Sequence, residues 1–181
     1  MDSASTSFIL GYHGCDRAVA ESVLSGRQSL HPSENDYDWL GDGIYFWEHN
    51  AQRAYEFACE LRAHPRNKRQ IKHPTVVGAI IDLALCLNML DSRYIAMVRR
   101  AHQEMVAQAQ ATGAELPENS VGSDLLLRKL DCAVIRFLHK AREAAGNAPF
   151  DTVRAAFFEG QRLYTNAGFA AKNHIQICVR N

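Results

Sequence analysis

Two rhythms of apolar and polar positions run along this chain, and together they mark out its elements. Residues 8–13 read as a short strand. Asp16 then suits the N-cap of a helix through Ala18, Val19, Val23 and Leu24, which Gly26 ends. Residues 27–40, with Pro32, Ser33, Glu34, Asn35 and Asp36, predict a loop. Ile44-Tyr45-Phe46 predicts a second strand, after which Asn50 caps a helix with Ala51, Ala54, Tyr55, Ala58 and Leu61 on one stripe. The stretch 76–85 is apolar except for Gly78 and Asp82 and predicts a strand buried on both faces.

Helical spacing governs 92–110 through Ile95, Val98, Met105 and Val106, and 123–145 through Leu126, Leu130, Val134, Phe137 and Ala141. Both stripes predict core-packing faces, joined by a loop over 112–122 that contains Pro117. A strand over 152–158, a Gly/Asn-rich loop and the Ile/Val alternation of 174–179 complete the pattern. Strands and helices in this order predict a mixed α/β or α+β domain without repeats.

At 181 residues the chain is long enough for one domain with a substantial core and too short for two. A hydrophobic share of 47%, a charged share of 22% and formal neutrality exclude a non-specific, charge-driven nucleic-acid binder. Recognition through a local patch stays open. The basic stretch 62–74, with Arg62, Arg66, Lys68, Arg69 and Lys72, reads either as a solvated face or as a surface for an anionic partner. The first seven residues lack the basic and apolar regions of a signal peptide, and no apolar run approaches membrane-spanning length. Cys15, Cys59, Cys86, Cys132 and Cys178 are dispersed and never in CxxC spacing. They predict reduced thiols in a cytoplasmic protein, with no metal site and no disulfide framework.

Candidate chemistry lies in three short segments: Gly11-Tyr12-His13-Gly14, the run Gly41-Asp42-Gly43-Ile44-Tyr45-Phe46-Trp47, and the end of the chain from His174 to Val179. Glycines beside an aromatic cluster predict that backbone approaches a ligand or another segment closely. Neither a G-x-G-x-x-G helix opening nor a G-x-x-x-x-G-K-[ST] loop occurs, so a dinucleotide would need another fold. Strand alternation places Ile175, Ile177 and Val179 on a core face and His174, Gln176 and Cys178 toward a cleft.

Tyr12-His13-Gly14, Leu40-Gly41-Asp42-Gly43-Ile44-Tyr45-Phe46, a helix bearing Tyr55, and the run 77–85 together resemble the catalytic core of ADP-ribosyltransferases of the poly(ADP-ribose) polymerase and diphtheria-toxin type. The resemblance covers 8–90 and resumes at about 150–181, leaving helices 92–145 as an insertion without counterpart. It implies an α+β fold with a split antiparallel sheet core, and NAD+ as co-substrate. His13 would bond the adenosine-side ribose and the Gly14 backbone the nicotinamide amide. Gly43 would border the nucleotide, Tyr45 would stack on the nicotinamide ring, and Tyr55 would close its other side. Aromatic faces suit a cationic ring. Where the family often has a serine, this chain has Ala51 and Gln52.

The family is known for a His-Tyr-Glu triad, and Gln176 stands here in the place of its glutamate. A carboxamide can hydrogen-bond a ribose but cannot take up a proton as a general base. Glu159, just before the loop into the last strand, is the candidate carboxylate, with Asp42 as a second acid that also suits a turn. The resemblance thus implies a mono-ADP-ribosyltransferase modifying a protein side chain or a nucleic-acid base, RNA or DNA. Family habit implies a toxin of a toxin–antitoxin or phage-defence system, with an antitoxin protein as partner. A catalytically silent NAD+ or ADP-ribose-binding module and an NAD+ glycohydrolase are the alternatives.

Overall fold

A computed structural model describes residues 8–64, 71–122 and 124–180. Strand β1 (Phe8–Asp16) runs antiparallel to β3 (Pro74–Asp82) across their whole length, from Phe8 opposite Asp82 to Asp16 opposite Pro74. On its other side β1 meets β2 (Ile44–Glu48) only at Gly11 opposite Glu48 and Tyr12 opposite Trp47. Next to β2 lies β8 (His174–Val179), then β7 (Thr152–Phe157), both antiparallel, and finally β4 (Cys86–Asn88), parallel to β7. The sheet order is β3-β1-β2-β8-β7-β4, with β5 (Asn119–Ser120) and β6 (Leu127–Arg128) in a small separate ladder. The α+β expectation therefore holds at the level of class. The antiparallel expectation fails at the β4–β7 edge, because the long crossover from β4 through the helices returns β7 in the same direction.

Helix α1 (Arg17–Leu24) starts where the sequence predicts, with the Asp16 carboxylate accepting the Ala18 N–H at 3.0 Å. The same carboxylate accepts the backbone N–H groups of His73 and Lys72 at 2.8 and 2.7 Å. These bonds, His73 foremost, hold its pKa down at about 2. Asn50 caps α2 (Ala51–Ala63) through the Arg53 N–H at 2.9 Å, and Asp91 caps α3 (Ser92–Thr112) through the Arg93 N–H at 2.9 Å.

The remaining helix, α4 (Lys129–Ala144), begins later than its apolar spacing predicts. Val121 and Leu125 adopt positive φ of 69° and 53°, which a helix cannot accommodate, so this segment turns into β6 instead.

Helices α3 and α4 cover one sheet face with a core of Leu40, Leu87, Met105, Ile135, Val153 and Cys178. Helix α2 packs on the same face, where Phe57 meets Trp47 with ring centroids 4.8 Å apart. A second cluster of Phe46, Ile81, Leu83, Cys86 and Ile177 fills the other face. Cys178 and Ile177 are both fully buried, so the predicted division of the last strand into a core face and a cleft face does not hold. Helices 92–145 roof over the face that the sequence left open.

The run 76–85 is also corrected. Its residues up to Asp82 belong to the edge strand β3, with Val77 and Ile81 buried on one face and Ile80 78% exposed on the other, because the face that Ile80 shares with Leu10 and Phe8 is open to solvent. Within the basic stretch, Arg62 and Lys72 are exposed, while Arg66, Lys68 and Arg69 fall outside the described residues. All five cysteines are free thiols, four of them buried. Among the described residues no helix is long and apolar enough to cross a membrane.

Candidate functional site

Three neighbouring strands carry the residues that the sequence singles out. Their side chains divide between the two faces of the sheet. On β2 and β8, Tyr45 stands opposite Cys178 and Trp47 opposite Gln176, so Tyr45 and Gln176 are diagonal neighbours on the face under α2, α3 and α4. His13 leans instead against Phe46, with ring centroids 5.8 Å apart, on the other face. It reaches Tyr45 through the main chain, its Nδ1 lying 2.8 Å from the Tyr45 carbonyl.

Both Tyr45 and Gln176 grip the loop before β2. The Tyr45 hydroxyl accepts the Leu40 N–H at 3.0 Å and donates to the Gly41 carbonyl at 2.8 Å. Burial pushes its pKa far up. Gln176, only 8% exposed, accepts the indole N–H of Trp39 through Oε1 at 2.7 Å. Consecutive residues 39–41 are thus tied down by two side chains from one sheet face.

The glycines answer the close-approach question. A Cβ on Gly14 would lie 2.1 Å from the Ala54 carbonyl oxygen of α2, and one on Gly43 would lie 2.5 Å from both Cys178 Sγ and the Val179 oxygen. In each case it is another protein segment that comes close. Tyr55 points away from that contact and is 44% exposed. Ala51 and Gln52, in the first turn of α2, are exposed as well. The structure therefore brings Tyr45 and Gln176 together, connects His13 to them by backbone, and leaves Tyr55 on the outer side of α2.

Glu159 is held in an ion-pair cluster. Its oxygens accept from Arg53 Nη2 at 3.0 and 3.1 Å, and Lys172 Nζ lies 3.3 Å away. Arg53 is 4% exposed, also reaches Glu60 at 3.3 Å, and places its guanidinium 5.8 Å from the Trp47 ring centroid. Asp42 turns toward α4, where it accepts from Arg136 Nε at 3.0 Å.

Sequence reasoning missed three residues here, Trp39, Arg53 and Arg128, and placed His174 on the cleft face without giving it a role. His174 is 8% exposed, with Nδ1 2.6 Å from the Lys172 carbonyl. Burial lowers its pKa below the ordinary imidazole range. Among the described residues, His174 Nε2, Trp47 Nε1 and Arg53 Nε are buried without a hydrogen-bond partner. His174 and Arg53 both lie against the Trp47 ring. Buried polar atoms of this kind are normally matched by water or a ligand. Nearby, a cavity of about 400 Å³ opens between the ends of β2, β7 and β8, lined by Glu48, His49, Phe158, Asn173 and His174. Arg53 carried a readable signal, since it lies one residue from Ala54 on the inward stripe. Trp39, a lone indole in a polar loop, carried none.

Among the described residues no group of His, Cys, Asp and Glu converges in the way that holds a metal ion. No family model matches the chain, and no solved structure matches it. A curated relative is the uncharacterized protein MJ0359 of Methanocaldococcus jannaschii, 27% identical over 187 aligned residues that cover 94% of this chain and 81% of the relative.

Proposed function

We propose that the chain is a mono-ADP-ribosyltransferase that uses NAD+ as donor. One observation carries the reading. The Tyr-His-Gly, Gly-Ile-Tyr-Phe and His-Ile-Gln segments occupy the adjacent strands β1, β2 and β8, with Tyr45 and Gln176 on one face and His13 hydrogen-bonded to the Tyr45 carbonyl. Short motifs scattered over the sequence thus meet within three strands. The resemblance to ADP-ribosyltransferases gives that meeting its chemical meaning.

In such a transfer the bond from ribose C1′ to the pyridinium nitrogen breaks, and its electron pair leaves with nicotinamide. A lone pair of the acceptor then forms the new bond to C1′, and the acceptor proton passes to solvent. The chain's part is to bind and orient. Gln176 Oε1, once Trp39 has moved aside, would accept a hydrogen bond from a ribose hydroxyl without taking its proton. An acceptor that needs little deprotonation suits such a site, as an exocyclic base amine or a nucleophilic protein side chain does. Glu159 is a weaker candidate for the base, since Arg53 already occupies both its oxygens.

A second reading, an NAD+ or ADP-ribose-binding module without turnover, is favoured by the Trp39–Gln176 bond, which occupies the amide. Incubating the protein with labelled NAD+ and cell lysate separates the readings. Transfer predicts nicotinamide release together with label on a macromolecule sensitive to protease or to nuclease. Release without labelled macromolecule indicates hydrolysis. No release at all, with NAD+ still bound, would establish the silent module.

A further inference from the structure

A second cavity, of about 330 Å³, lies between α3, α4 and the sheet, with Trp39 in its lining. Its walls are apolar: Trp39, Met89, Val98, Leu130, Val134 and Ala155. At 330 Å³ it falls at the small end of the range for ligand pockets. Three cationic or imidazole side chains reach its lining: Arg99 and His102 from α3, and Arg128 from the end of β6.

These three differ in how far they are already committed. Arg128 pairs with Asp131 at 3.5 Å and donates to the Asp124 carbonyl at 3.2 Å, with its guanidinium stacked over Trp39 and Phe157. Asp131, the acid of the lining, is taken up by Arg128 and by the Asn119 amide at 2.9 Å. Arg99 and His102 make no hydrogen bond or ion pair among the described residues. They stand one helical turn apart on α3, on neighbouring positions of one face. The cavity therefore offers an apolar interior, a neutralised acid, and two uncommitted donors on one wall.

We propose that this cavity binds a small amphipathic anion, with an apolar body among Met89, Val98, Leu130 and Val134 and a carboxylate or phosphate head at Arg99 and His102. The apolar body leaves water for an apolar surface, and the head exchanges water at exposed Arg99 and partly exposed His102 for charge-assisted bonds. An occupant would also touch Trp39, whose indole N–H holds Gln176. Binding here is thus felt at the amide even though the two ligand positions are separate. The proposal stands without the transferase reading, since it involves no NAD+.

The test titrates the native chain with phenylacetate, phenyl phosphate and the neutral 2-phenylethanol, following calorimetry and intrinsic fluorescence. Trp39 and Trp47 are its two tryptophans, so a Trp39→Phe variant assigns the optical change. At least one of the two anions should bind saturably below about 1 mM. Charge-assisted bonds to the head should make 2-phenylethanol weaker by about tenfold or more. The double variant Arg99→Gln, His102→Gln should lose about tenfold in anion affinity with an unchanged melting temperature, since neither side chain supports the core. Whichever anion binds better names the head group. Equal binding of the alcohol, an unaffected double variant, or no saturable binding by either anion would overturn the proposal.

Discussion

Trp39 Nε1 donates to Gln176 Oε1 across 2.7 Å, joining the loop before β2 to the last strand. The bond blocks the amide that the transferase reading needs, and it is made to an oxygen that a glutamate would also present. Gln176→Glu should therefore keep the Trp39 contact and the fold. It should raise nicotinamide release from NAD+ by about tenfold or more, as a positioned carboxylate contributes at least that much when it assists a reaction. Equal release by both forms, measured by chromatography, would remove Gln176 from the site.

Glu159→Gln separates a structural carboxylate from a reactive one. Arg53 is nearly inaccessible, and the substitution removes the charge nearest to it, leaving Glu60 as its partner. We expect a loss of about 2–4 kcal/mol in denaturant unfolding, toward the low end of what breaking a buried pair costs. Nicotinamide release at saturating NAD+ should change little. A stable variant with abolished release would instead make Glu159 the base.

Gly14→Ala tests the contact between β1 and α2. The added methyl would meet the Ala54 carbonyl at 2.1 Å, which is backbone and cannot swing away. Helix α2 must shift, at a cost of about 1–3 kcal/mol or more. A melting temperature equal to that of the native chain would show that the helix sits farther from the strand in solution.

Tyr45→Phe and Tyr45→Ala probe the other end of the loop. The first removes a hydroxyl bonded to both Leu40 and Gly41 and should cost about 1–3 kcal/mol. The second also removes packing against the α3/α4 core, and about 3–5 kcal/mol is expected. Loss of activity in the alanine variant therefore carries meaning only beside the phenylalanine one.

Acid stability should follow His139, a residue of α4 that is 2% exposed. Burial first, and the nearby Arg180 second, lower its pKa from 6.5 to about 4. The unfolded chain takes up this proton at a higher pH than the folded one. The neutral imidazole therefore contributes fully above pH 6.5, and its share is lost as the pH falls toward 4. That share is about 3 kcal/mol at 1.4 kcal/mol per unit. Denaturant unfolding of His139→Leu should be flatter over this window than that of the native protein.

Local rules served the elements well wherever the signal was local. Asp16 and Asn50 cap the helices predicted for them, and β8 spans the residues whose alternation announced it. The misses came from long-range packing. Nothing in the stretch 76–85 says that the face carrying Ile80 will stay open to solvent, and nothing near His174 says that α3 and α4 will roof its face. At the site, Tyr45 and Gln176 were legible as a pair. The indole of Trp39 was not, because its partner lies 137 residues away. Arg53 and Glu159, 106 residues apart, show the same limit.

The two-residue seam between β1 and β2 has a mechanical consequence. Strands β1 and β3, zipped along their whole length, form one block, and β2, β8, β7 and β4 form another. Few backbone bonds stitch the halves, so the line between them is where the protein should breathe first. Amide deuteration would then spread outward from Gly11 and Tyr12 before either block exchanges as a whole.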